Sequence, residues 1–134
     1  MRLVNQSQAR RLAIGVAAVR VAFGAGSLVA PSFARLWVGP DGAGPAGKLL
    51  CRSLGARELA LGAGTIAAGM DGARLRRWAV ASAIGDMTDA VGTWAGASVP
   101  KRSRVPVLAI SLGAAFAGLA AASALGPGPQ PGGA

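Results

Sequence analysis

The chain is 134 residues long, about one domain's worth; 52% of it is apolar, only 14% is charged, and its mean hydropathy is positive. Soluble domains carry roughly a quarter charged residues, so this composition argues against an ordinary soluble protein and for an integral membrane one. The net charge of +9 is not that of a nucleic-acid binder, because the basic residues sit in short groups at the ends of apolar runs with almost no aromatic interleaving.

In chain order, the first apolar span covers about residues 12–30, behind Arg10 and Arg11. The basic start and the small residues of SFA (32–34) have the look of a cleaved signal. Arg20 interrupts the apolar run, however, and three more spans follow, so the segment reads as an uncleaved crossing. PSFARLWVGPDGAGPAGK (31–48) is rich in proline and glycine and reads as a longer loop with a short interfacial helix over 33–37. The second span, 48–70, leads through the short loop DGARLRR (71–77) to a third at 77–97. Trp78 and Trp94 bracket that span about 24 Å apart, a spacing suited to the two membrane interfaces. VPKRSRVP (99–106) precedes the fourth span, 105–125, and GPGPQPGGA (126–134) reads as a disordered tail.

The expected fold is therefore all-α: a four-helix transmembrane bundle over residues 1–125, multi-pass in the bacterial inner (plasma) membrane. An even number of crossings puts both termini on one side, together with Arg2, Arg10, Arg11, Arg74, Arg76 and Arg77. Arg35, Lys48, Lys101, Arg102 and Arg104 lie on the other. This near balance leans toward cytoplasmic termini.

Histidine is absent and Cys51 is the single cysteine. An intramolecular disulfide, Cys/His metal sites and Ser–His or Cys–His nucleophile systems are thereby excluded within one chain. Neither a metal nor another cofactor is expected.

Steps of three and four residues stay on one helix face. They align Ala13, Ala17, Arg20, Gly24 and Ser27 in the first span, and Cys51, Gly55, Glu58, Gly62, Thr65 and Gly69 in the second. The third gives Ser82, Asp86, Asp89 and Thr93; the fourth gives Ser111, Ala115, Gly118 and Ala122. Small residues so spaced let membrane helices approach closely, which makes Gly24, Gly55, Gly62 and Gly118 the candidate packing glycines.

Arg20, Arg57, Glu58, Asp86 and Asp89 share one depth near mid-span, and Arg52 lies a little over one turn nearer the first loop. A charge at the bilayer centre costs about 3 kcal/mol on insertion scales, so such residues face the bundle and pair. With Arg52 included, three arginines meet three carboxylates. Neighbours in sequence point about 100° apart on a helix, so Arg57 and Glu58 are not expected to be each other's partner. Glu58 is expected to meet Arg20, and Arg57 to reach Asp86 and Asp89. The cluster is either structural, fixing helix order, or a midplane proton or ligand site. Asp86 and Asp89 could also take a hard cation, though the arginines nearby oppose it.

LGARELALG (54–62), followed by an arginine-rich loop and GDMTDAVGT (85–93), resembles an uncharacterised family of small bacterial four-helix membrane proteins, a domain of unknown function. The resemblance spans most of residues 10–125 and makes Gly55, Ala56, Arg57, Glu58, Gly62, Asp86 and Asp89 the motif positions. It implies fold and location, and no catalytic role. DGARLRRWAVASAIGDMTDA (71–90) also looks like the CDP-alcohol phosphotransferase signature. It departs from that signature in the spacing after Asp71-Gly72, in the lack of an acid before Asp71, and in its closing D-x-x-D. The phases of metal ligands on the helix would not match.

The expected function is that of a structural or accessory membrane subunit, in contact with the lipid bilayer and with a second copy or another membrane protein. A small proton-coupled transporter using the midplane cluster is the alternative, and a membrane enzyme acting on a lipid or quinone is a third class. The missing His and Tyr count against the enzyme.

Overall fold

A computed structural model describes residues 5–96 and 100–125. Among them are four long helices and no strand: α1 (Gln6–Val29), α3 (Pro45–Ala67), α4 (Gly72–Ala95) and α5 (Lys101–Leu125). The first connection has structure of its own. A 3-10 turn, Pro31–Ala34, enters the single-turn helix α2 (Arg35–Val38), and a second turn, Pro40–Ala43, leads to α3. The expected disordered tail, 126–134, lies outside the described residues.

All four long helices begin earlier than their apolar runs. In α1 the side chain of Asn5 accepts from the amide of Gln8, while the Gln8 side chain accepts from the amide of Asn5. This capping box satisfies amides that a helix start leaves unpaired. Asp71 does the same for α4, accepting from the amides of Ala73 and Arg74 at 3.0 Å each. Residues 72–77, read from hydropathy as loop, therefore form the first turns of α4. Pro45 opens α3 at a position where a missing N–H costs nothing.

Around the bundle α1 packs on α3, α3 adjoins α4, α4 packs on α5, and α5 returns to α1. The α1–α3 and α4–α5 pairs are the close ones. Adjacent helices run antiparallel: Gly24 faces Gly55, and Gly62 faces Ala17. A Cβ on Gly24 would come within 2.6 Å of the Gly55 carbonyl oxygen, and one on Gly62 within 2.7 Å of the Ala17 carbonyl oxygen. On the other pair, a Cβ on Gly118 would lie 3.1 Å from the carbonyl oxygen of Ala79. Helices this close leave little room for side chains at these crossings, so dispersion between backbones adds to what the side chains supply.

The interior is built from small residues. Apart from Leu75 and Leu125, the buried apolar positions are alanines and Cys51. Leu75 anchors a small apolar cluster with Ala9, Ala13, Ala68 and Ala121, backed by Ile14 and Trp78, at the end where α1 and α4 begin. The bulky apolar side chains point outward instead: Ile110 is 72% exposed, Phe116 70% and Val19 69%. A soluble monomer rarely leaves so many large apolar side chains exposed.

Two of the four helices, α1 and α5, are long and apolar enough to cross a membrane by length and composition. Only 28% and 22% of their apolar stretches are buried in the bundle. By the same measure α3 and α4 do not qualify, because ionised residues at mid-helix lower their hydropathy.

Candidate functional site

The charges meet because three helices turn their small-residue stripes toward one another. In α1 the buried positions are Ala9, Ala13, Ala17, Arg20, Gly24 and Ser27; in α3 they are Cys51, Gly55, Glu58, Gly62 and Thr65. In α4, Ser82 and Asp86 are buried and Asp89 is half-buried. The buried stripe of α5 contains Ser111 and Ala115 and no charge.

Arg20 donates through Nη1 to Glu58 Oε2 and through Nη2 to Asp86 Oδ2. All three side chains are at most 8% exposed. Arg57 forms a two-pronged pair with Asp89, with Nη1 donating to Oδ1 at 2.9 Å and Nη2 to Oδ2. Arg57 also donates to Glu58 Oε1, from Nη2 at 2.9 Å and Nε at 3.2 Å. Glu58 thus offers one oxygen to each arginine. The result is a continuous chain, Asp86–Arg20–Glu58–Arg57–Asp89, that ties α1, α3 and α4 together. Paired, charge-assisted hydrogen bonds of this kind let ionised groups leave water.

Three details differ from the expectation drawn from spacing. Asp86 bonds to Arg20 rather than Arg57, because it faces the bundle interior, whereas Asp89 lies about 60° further round, toward α3. Arg57 does reach its neighbour Glu58. Their Cα–Cβ directions diverge, but the long side chain of Arg57 lies across α4 at Gly85, its Cζ 3.8 Å from where a Cβ would sit. Gly85 opens GDMTDAVGT but carries no chemistry of its own; its one signal in the sequence is its place one turn before Asp89 on α4. Arg52 is exposed and, among the described residues, forms no ion pair. It sits six residues from Glu58, about 120° around α3, and so points away from the cluster.

Two guanidiniums therefore face three carboxylates, a formal excess of one negative charge. Asp86 and Asp89 are each held by a different arginine rather than set side by side for a cation. Beside Arg20, whose Nε has no protein partner, lies a cavity of about 20 Å³ that also touches Leu12, Val16, Thr65, Ser82 and Gly118. That is room for one water and far too little for an organic substrate. The Thr65 hydroxyl is already spent on the Leu61 carbonyl, at 2.7 Å.

Outside the cluster, Trp78 packs inward over Gly64 rather than outward at an end of the bundle, while Trp94 is exposed. Arg104 donates to the Gly96 carbonyl at 2.7 Å, fastening the start of α5 to the end of α4. Compared with protein-family profiles, with curated proteins and with solved structures, the chain matches none.

Proposed function

We propose that the protein is a multi-pass component of the bacterial inner membrane, its four helices crossing with both termini in the cytoplasm, and that it serves as a structural or accessory subunit. The proposal includes its kinship with the small four-helix family that LGARELALG and GDMTDAVGT resemble. The observation that carries it is the inverted layout of the molecule. Charges are paired inside an alanine- and glycine-lined bundle, and bulky apolar side chains face outward. Such a surface suits hydrocarbon, and such pairing is what hydrocarbon demands of a charge. The continuous chain of ion pairs and the one-water cavity favour a locking role over a conduit.

Reporter fusions after residues 40, 73 and 102 test the membrane reading. They should alternate in compartment, and two successive fusions on one side would overturn the four-crossing topology. Copurification from native membranes with mass spectrometry should recover the chain with a stoichiometric protein partner. The second reading, a proton-coupled carrier, is favoured by the excess carboxylate. Proton flux into liposomes carrying the purified chain alone, abolished in Glu58→Gln, would replace the accessory reading with it.

A further inference from the structure

The three carboxylates of the cluster are unequally bonded. Glu58 accepts on both oxygens, from Arg57 on Oε1 and from Arg20 on Oε2. Asp89 also accepts on both, each time from Arg57, and it is 33% exposed at the side chain. Asp86 accepts a single bond, from Arg20 on Oδ2, and among the described residues its Oδ1 accepts none. Yet Asp86 is only 8% exposed, as deeply enclosed as Glu58. It combines deep burial with the weakest bonding.

The charged groups around Asp86 come from three helices. Arg20 approaches from α1, Glu58 and behind it Arg57 from α3, and Asp89 lies one turn further along α4. The buried stripe of α5 brings Ser111 and Ala115 and no charge. Arg57 is taken up by Asp89 and Glu58, which leaves Arg20 divided between Glu58 and Asp86. Fully ionised, the cluster would hold one negative charge that no cation offsets. Under the proposed membrane placement, the acyl chains outside supply no countercharge either. A buried carboxylate in that position takes up a proton instead.

We propose that the cluster binds one proton, carried on Oδ1 of Asp86, which makes the buried network electrically neutral. The proton comes from water and adds to one carboxylate oxygen, cancelling the excess charge. The bond to Arg20 survives, with Oδ2 accepting from Nη2 as the carbonyl oxygen of a neutral acid. Ser82, one turn earlier on the same buried stripe of α4, supplies a hydroxyl that can accept the new O–H. Glu58 and Asp89 stay ionised, because charge-assisted bonds reach both oxygens of each. The proposal rests on the membrane reading, and it accounts for the excess carboxylate without transport: the proton is held as a member of the lock.

The test is infrared spectroscopy of the full chain in lipid vesicles at neutral pH. Wild type should show the carbonyl stretch of a protonated carboxylic acid, displaced to lower frequency in heavy water. Asp86→Asn should lose that band, and Asp71→Asn, outside the cluster, should keep it. No band in wild type, or a band that survives Asp86→Asn, would overturn the proposal. Thermal stability in detergent gives a second arm. Asparagine has the shape and neutrality of the protonated acid, so Asp86→Asn should melt close to wild type. Asp89→Asn and Glu58→Gln, which each remove an ionised partner of Arg57, should melt clearly lower. Asp86→Asn that melts as low as Asp89→Asn, or that fails to accumulate where wild type does, also overturns the proposal. Native membranes are washed with alkaline carbonate before the chain is purified for the vesicles. Protein released by that wash defeats the membrane reading, whereas protein retained but lacking the band defeats the bound proton alone.

Discussion

Gly24 of α1 and Gly55 of α3 are in backbone contact, so close that a methyl group on Gly24 would come within 2.6 Å of the Gly55 carbonyl oxygen and 2.7 Å of the Leu59 amide nitrogen. Neither neighbour is a side chain that can rotate away. Gly24→Ala should therefore push the two helices apart and cost about 1–3 kcal/mol, as overpacking does elsewhere. Gly26→Ala and Gly113→Ala are the controls, because a Cβ at either meets nothing within 4 Å. Thermal unfolding in detergent should show Gly24→Ala clearly lowered and both controls unchanged or raised. An unaffected Gly24→Ala would mean that the seam is looser than described.

The bonding order of the ion-pair chain fixes the pattern of its double-mutant cycles. Arg20→Ala leaves Asp86 without its arginine and takes one of Glu58's two, so it should cost about 3–5 kcal/mol, the range for breaking a buried pair. Arg20 with Asp86 should show strong coupling, and the double change should recover part of the loss. Arg57 with Asp86, which share no bond, should be close to additive. Stability measured for the three single and two double changes checks this, and coupling confined to the Arg57–Asp86 cycle would contradict the geometry.

Arg52 provides a contrast within the same helix. It is exposed and forms no ion pair among the described residues, so Arg52→Ala should change stability by no more than about 0.5 kcal/mol. Arg57→Ala, which strips Asp89 of its two-pronged partner, should be far more damaging on the same assay.

Asp71, at the start of α4, confers a pH dependence of known sign. The amide of Arg74, with smaller contributions from the amide of Ala73 and the Arg74 guanidinium, holds its carboxyl below the usual carboxylate range. A group whose folded value is depressed stabilises the fold above its unfolded value, and that contribution fades as pH falls through the folded one. Asp71→Ala should therefore lower the melting temperature at neutral pH, and the gap from wild type should close in acid. Melting curves from pH 7 down to about 2 on both proteins measure it, and a gap that widens in acid would reverse the assignment.

Residue spacing alone settles which side of each helix turns inward. An α-helix advances about 100° per residue, so positions three and four apart must share a face whatever the helix packs against. For that reason Ala13, Ala17, Arg20, Gly24 and Ser27 can be read as one stripe, and all five are buried. The same holds for Cys51, Gly55, Glu58, Gly62 and Thr65 in α3. Helix starts are legible too, but in capping residues rather than hydropathy: Asn5 with Gln8 and Asp71 extend α1 and α4 into polar sequence. Which arginine bonds to which carboxylate lies beyond spacing. It depends on the order of helices around the bundle and on the paths of long side chains, neither of which the 100° step contains. Arg20 could reach both Glu58 and Asp86 only once α1, α3 and α4 were brought around one axis. Arg57 could fold back to Glu58 while holding Asp89 only because α4 presents Gly85, with no side chain, beneath its guanidinium. Arg52 shares the sequence neighbourhood of the others and is left outside, since about 120° of rotation separates it from Glu58 and no partner stands on that side. The direction of each charge is a local property of the helix that bears it, and its partner is a property of the assembled bundle.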